Sequence, residues 1–400
     1  SEIIRYGWVK GDFNASIRLD KPILSTARGY IEGEHLMPPL RTDVPFTVNR
    51  FLVNSADDRT NIKSASLTWG NNNFDLKGDI TTKEDAFIVD MDIASDGIQF
   101  ENINKTFMKK DEREKELLED FPITGILRLA SEKLSFKDFT WTPFHADILL
   151  EKDTIDINVN EAVVCGISTP GKVLIQDKDI DIDLELISKG QALDPTLSCL
   201  TDNKLRTSGT YDLEGKIDTQ GNPEELSEAL KGNIVFSAES GNVSSEKILD
   251  KAFDFLNETG ALEEELPDIS EQAFEYDFMK VTGVLEGKTI IVKEYILDST
   301  KAEIVGRGEL DLSNRTIDLN LLIAPIKSVN RVVKKIPLVG RVTGGTIISF
   351  PVKVKGSFDD PEVSYVSASA IGSGLLRALQ GTLKAPIRIF EPFMPDGKEK

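Results

Sequence analysis

Apolar and polar residues alternate with a period of two along most of this chain, the mark of β-strands that bury one face and wet the other. Phe87, Val89, Met91 and Ile93 alternate with polar or small residues, as do Ile155, Ile157 and Val159. Ile180, Ile182, Leu184 and Leu186 are separated by Asp181, Asp183 and Glu185; later come Ile317, Leu319, Leu321 and Ile323, then Phe350, Val352 and Val354. Strands with one wet face belong to antiparallel sheets, not to doubly covered parallel ones. Turn formers separate the runs, among them Asn71-Asn72-Asn73, Glu286-Gly287, Ser313-Asn314 and Asp359-Asp360-Pro361, and predict hairpins. A Gly followed by two alternate apolar positions returns at Gly125–Leu129, Gly209–Leu213 and Gly308–Leu312, which suits a meander extended hairpin by hairpin.

Helical spacing is rarer and comes late. Asn222-Pro223-Glu224-Glu225 reads as an N-cap with Pro at the first helical position, closed by Gly232. Ile248, Leu249, Ala252, Phe253 and Leu256 form the stripe of a second helix. From Pro325 to Ile336, a turn of 100° per residue sets Lys327, Arg331, Lys334 and Lys335 opposite Val329, Val332, Val333 and Ile336. Such a basic amphipathic helix, with Arg341 beyond it, fits an anionic membrane surface; packed on a sheet, its basic face would simply be solvated. A last stretch, Ala370–Leu383, runs into an apolar tail. Asn104–Asp120 is dense in charge and reads as a solvated helical insertion, dividing an N-terminal β-repeat segment, 1–120, from a larger β-region with capping helices, 121–400.

Four hundred residues allow two compact domains or one repeat-like body. A net charge of −20 argues against a nucleic-acid partner, whose phosphates call for a basic surface. The charge is uneven: Leu319–Lys400 holds 12 basic and 6 acidic residues, net +6, leaving −26 for residues 1–318. No stretch reaches the roughly 20 apolar residues of a membrane-spanning helix, and Ser1–Arg5 is no targeting peptide, so any anchor is expected outside this sequence. Cys165 and Cys199 either pair, closing a loop of about 34 residues and stabilising the fold by roughly 3 to 4 kcal/mol, or remain two buried thiols.

Catalytic constellations are missing from the pattern. His35 and His145 have no ligand-spaced partner. Gly283–Thr289 is one residue short of a phosphate loop and joins two strands. Asp177, Asp179, Asp181 and Asp183 open like a calcium loop, but Ser188 stands where the closing Glu belongs. The expectation is a protein that is not an enzyme and takes no cofactor or metal.

A succession of phrases resembles the C-terminal region of the AsmA-like family of Gram-negative envelope proteins. They are Glu161-Ala-Val-Val-Cys165-Gly166, Ser208-Gly-Thr-Tyr-Asp-Leu213, Gly308-Glu-Leu-Asp-Leu312, Ala324-Pro325 leading to Lys335-Ile-Pro337-Leu-Val-Gly340, and Val354-Lys-Gly356 before Asp360-Pro361. The resemblance implies a mainly β fold: an elongated, strongly curved antiparallel sheet forming a taco-like apolar groove, with a few short amphipathic helices near the C-terminus. It further implies a periplasmic bridge carrying phospholipid between inner and outer membrane, tethered by an N-terminal segment this sequence lacks. An oxidising periplasm would favour the Cys165–Cys199 disulfide.

On this reading the alternating positions from Phe87 to Val354 line the groove, and Lys327, Arg331, Lys334, Lys335 and Arg341 meet anionic headgroups. Phospholipid acyl chains, a membrane surface and other envelope proteins are the expected partners. Some 16 to 18 strands at about 4.8 Å spacing would make a sheet on the order of 80 Å long, and open sheets that large curl. The competing expectation is a structural module of filled, sandwich-like domains.

Overall fold

The structure, a computed structural model, describes residues 7–16, 18, 25–37, 44–83, 86–103, 123–177, 179–201, 206–244, 247–258, 273–325, 349–366, 375 and 377. The fold is mainly β, as the alternation predicts. It divides into two compact units, Ser1–Glu185 with Thr219–Leu226, and Leu186–Asp218 with Ser227–Lys400.

The first unit is built from β1 (Trp8–Ser16), β2 (Thr26–Leu36), β3 (Phe46–Asp57), β4 (Arg59–Trp69), β5 (Asn72–Thr82), β6 (Phe87–Ser95), β7 (Ile98–Gln99), a single turn α1 (Phe100–Ile103), β8 (Ile123–Ser131), β9 (Leu134–Phe136), β10 (Phe139–Leu150), β11 (Thr154–Val164), β12 (Ile167–Ser168), β13 (Gly171–Gln176) and the first half of β14 (Asp179–Ala192). The long strands pair in the order β1-β2-β3-β4-β5-β6-β8-β10-β11-β13-β14. All these pairs are antiparallel except β6 with β8, which run parallel from Phe87↔Ile123 to Ser95↔Ser131. That ladder crosses the charged stretch at which a division is expected from the sequence. The strands before and after the charged insertion are direct neighbours, so the first unit continues to Glu185. The insertion itself, 104–120, lies outside the described residues.

After β14 come α2 (Leu193–Thr201), β15 (Arg206–Thr207), β16 (Thr210–Gly221), β17 (Lys231–Ser244), α3 (Lys247–Glu258), β18 (Phe274–Glu286), β19 (Thr289–Asp298), β20 (Ala302–Asp311), β21 (Thr316–Pro325), β22 (Phe350–Ser357) and β23 (Pro361–Tyr365). From β16 to β23 each strand pairs antiparallel with the next, an uninterrupted meander.

The stripe expected between residues 248 and 256 forms α3: Leu249, Ala252, Phe253 and Leu256 are each at most 1% exposed. Phe253 meets Phe274 edge to face at 5.2 Å, Phe255 packs on Tyr365 at 4.5 Å, and the helix lies against β22 and β23. The helix expected over 222–232 does not form. Asn222 instead holds a tight turn, its carbonyl accepting from the amides of Glu225 and Leu226 and its Oδ1 from that of Glu224. The carbonyl of Leu226 accepts from the hydroxyl of Thr219 on β16 at 2.7 Å, which ties the turn to the strand before it. Of the stretch 370–383 only Leu375 and Arg377 are described; Leu375 is buried with Ile296, Val305, Leu322 and Ala324. At that end β20 is covered on both faces, and Ala302–Gly306 are all buried.

Several strand glycines lie on the apolar face. At Gly125, φ is +127° and a Cβ would sit 1.9 Å from the carbonyl oxygen of Val89; at Gly308, φ is +154° and a Cβ would sit 2.0 Å from that of Asp318. No other residue fits there without moving the neighbouring strand. Tyr276 fastens another close approach: its buried hydroxyl donates to the carbonyl of Ser208 at 2.5 Å, and burial pushes its pKa up to about 12.

Phe253→Ala should lower the unfolding free energy by about 3 to 5 kcal/mol in urea titrations, as emptying a sealed aromatic site does. Gly125→Ala should cost about 1 to 3 kcal/mol through its backbone alone, while Leu174→Ala, on an exposed position, should stay within about 0.5 kcal/mol. Equal losses at all three positions would contradict this account of the packing.

Candidate apolar lipid-binding face

Directly opposed residues of paired strands point to the same side, so the register of the first unit can be read across the sheet. One row runs Gly11, Ile31, Val53, Ile62, Gly78, Met91, Leu127, Ile148, Ile157, Val173, Ile182. A second, beside it, runs Val9, Gly33, Phe51, Ala65, Leu76, Ile93, Leu129, Ala146, Val159, Gly171, Leu184. Each crosses the whole ladder without a polar side chain. Phe87 and Val89, and Ile155 and Ile180, lie in adjoining rows on the same face.

The opposite face carries charge. Lys77, Asp92, Arg128, Asp147, Asn158, Lys172 and Asp183 face one another in sequence across seven strands. The guanidinium of Arg59 grips Asp79 with two bonds of 2.9 and 3.1 Å, Asn61 adds a third at 2.8 Å, and Arg128 bridges Asp90 and Asp92. These pairs are solvent-exposed, so water and salt screen them and each adds little to stability. Their main effect is to make a flipped register unfavourable, since a one-residue slip would set the charged face where the apolar one lies.

Burial distinguishes the units. In the first, Gly33, Met91, Ala146 and Val159 of the two rows are buried; Val9 and Gly11 are exposed and the remaining positions only half-buried. In the second, Ile317, Leu321, Ile323, Phe350, Val352 and Val354 are 0–3% exposed, and Leu319 alone of the positions read from β21 and β22 is half-buried. Those six are interior core positions, not open lining. Elsewhere in the second unit, Ile217, Ile234, Phe236, Leu285, Ile290 and Leu310 are half-buried on one face. Leu186, on β14, is half-buried too.

The alternation in the sequence marks Phe87, Val89, Met91, Ile155, Ile157, Val159, Ile180, Ile182 and Leu184, and register brings them together. Leu127 and Leu129 of the Gly125–Leu129 phrase join them, while Ile31, Phe51, Val53, Ile62, Leu76 and Ile148 complete the rows but escape that pattern. Irregularities near Asn49 and at Lys63 and Ser64 shift the parity within β3 and β4, and glycines interrupt the apolar count in β2 and β5. Lys327, Arg331, Lys334, Lys335 and Arg341 lie outside the described residues. Cys165 and Cys199 are each disulfide-bonded.

Chemistry of other kinds finds less support. His145 Nδ1 lies 3.0 Å from a Glu161 carboxylate oxygen, both half-exposed. Among the described residues no group of three or more His, Cys, Asp or Glu is placed to hold a metal, and no helix is long and apolar enough to cross a membrane. A cleft of about 870 Å³ in the first unit is rimmed by Arg50, Lys63, Lys77 and Arg128 together with Asp75, Asp92 and Asp147, over Ser64, Ser66, Ala94 and Ala130. Charges of both signs neutralise one another around it. No protein-family model, no curated protein and no solved structure matches this chain.

The Arg59 guanidinium, then Asn61, hold the Asp79 carboxyl down from 3.8 to about 2. Because the folded value is depressed, the interaction contributes stability above the unfolded carboxylate pKa and loses it as pH falls from about 4 toward 2. Carboxyl NMR should give Asp79 a midpoint near 2, and Arg59→Gln should move it most of the way back. An unmoved midpoint would show that the guanidinium is not the cause.

Proposed function

We propose that this protein is a non-enzymatic lipid-binding conduit, and that the half-buried apolar face of its first unit holds phospholipid acyl chains. The observation that carries this reading is the pair of unbroken rows, eleven positions each, that are apolar yet for the most part not sealed by the protein. Soluble proteins seldom leave contiguous apolar patches beyond a few hundred Å² uncovered, and a larger one marks a binding surface. Hydrocarbon suits it because no polar group interrupts either row. Each methylene buried contributes about 0.8 kcal/mol, so a chain of some 15 methylenes gains roughly 12 kcal/mol without a specific contact.

The phrases shared with AsmA-like proteins supply the setting: the periplasm of a Gram-negative envelope, with phospholipid passing between inner and outer membrane along a curved groove. The disulfide supports an oxidising compartment. The segment holding Lys327, Arg331, Lys334 and Lys335 would then meet anionic headgroups, in a region free of acidic residues from Leu319 to Phe358. A filled structural module is the second reading, and the sealed core of Leu321, Ile323, Phe350, Val352 and Val354 favours it for that part of the second unit.

Protein purified without detergent exchange should carry phospholipid measurable by mass spectrometry. Ile62→Glu, Leu127→Glu or Ile157→Glu should cut the bound lipid about tenfold, by setting a carboxylate among hydrocarbon. Ile126→Glu, on the charged face, should leave it unchanged. Lipid-free protein, or equal loss from both faces, would sink the conduit.

Binding to vesicles containing anionic lipid should fall about a hundredfold or more when Lys327, Arg331, Lys334 and Lys335 all become Gln, at about 1 kcal/mol per charge near such a surface. Unchanged binding would remove the membrane-docking role.

A further inference from the structure

We propose that β1 is a homodimer seam, at which two copies of this chain pair their β1 strands antiparallel about a two-fold axis through Gly11. Among the described residues β1 pairs only with β2, and all nine of its residues are exposed. Trp8, Val9 and Phe13 are 45%, 47% and 50% exposed, unusual for aromatic and β-branched residues at a sheet edge. A strand edge of this kind carries a row of unpaired amides and carbonyls and is a template for another strand.

The sequence of β1 selects both the partner and the register. A two-fold axis normal to the sheet keeps the apolar face on one side only when opposed residues have the same parity. Centred on Lys10 the pairing sets lysine against lysine, and centred on Asp12 it sets aspartate against aspartate. Centred on Gly11 it sets Lys10 against Asp12 of the second copy, twice by symmetry, on the charged face. On the apolar face it sets Val9 against Phe13, again twice, flanking the space over the two glycines. Opposite charges and aromatic–β-branched pairs are the combinations that stabilise directly opposed strand positions. The edge is therefore complementary to itself, and the apolar rows of two copies would meet across the seam. The proposal does not rest on the lipid reading.

Sedimentation equilibrium of the whole chain over about 1 to 100 µM tests it. The wild type should show a monomer–dimer equilibrium. Lys10→Glu sets a carboxylate against Asp12 at both symmetry-related pairs, and Asp12→Lys sets an ammonium against Lys10, so each change alone should weaken the dimer about tenfold or more. The double reversal should restore it. Circular dichroism of each variant separates a lost seam from a lost fold.

A second measurement fixes the register. The natural cysteines are already paired, so V9C and F13C proteins carry one free thiol each. Mixed under mild oxidation they should cross-link to one another in preference to themselves, because opposed strand residues lie within disulfide reach. A monomer throughout the concentration range, a dimer indifferent to the single reversals, or cross-linking without the Val9–Phe13 preference would overturn the proposal.

Discussion

An antiparallel sheet satisfies its backbone from strand to strand, so nothing in its hydrogen bonding limits how far it grows. Its apolar face is what has to be satisfied from outside the ladder, and that face widens by about 4.8 Å with every strand added. Eleven strands in the first unit make it about 50 Å wide, and strands of about ten residues make it about 30 Å deep. A face of that extent in plain water would cost far more than a domain's marginal stability allows. The two units cover that face to different degrees.

The second unit meets part of the demand from its own chain. In α3 the residues Leu249, Ala252, Phe253 and Leu256 are sealed, and Phe255 stands on Tyr365 of the last strand. Apart from Leu319, the aliphatic side chains of β21 and β22 are as dry as any core. In the first unit most of the corresponding side chains are neither sealed nor free, and this intermediate burial is what a shared apolar surface produces when side chains touch only their lateral neighbours. The contrast separates a sealed core from a face that the described residues leave half-buried.

Much of this was legible in the sequence because period-two alternation is a local signal that needs no tertiary information. Ile180, Ile182, Leu184 and their intervening acids could be assigned to faces by inspection, and the stripe of α3 was equally plain. Three features were not local. The helix expected after Asn222 has a sound start signal, but the segment is held as a turn by bonds to Asn222 and to Thr219 of β16. The pairing across the charged insertion was another, because such an insertion looks like a linker whether or not the strands on either side of it pair; that β6 and β8 do so in parallel is a property of the assembled sheet. The lining residues of β3 and β4 were hidden because their parity changes mid-strand at irregular positions, which no alternation count follows.

The glycines show why those hidden residues matter. Gly78, Gly125 and Gly171 each face apolar side chains on the strands beside them, and each sits where a Cβ would collide with a neighbouring carbonyl. Counted as apolar positions they look like gaps in the pattern; placed in the register they let adjacent strands approach closely on the apolar side while full-sized side chains remain on the charged side. Unequal crowding of two faces is a physical cause of bending in a sheet, as glycine kinks and bulges are when curvature is built deliberately. On the proposed lipid-binding reading, a surface made this way would select its occupant by shape and by lack of polar atoms, and by little else.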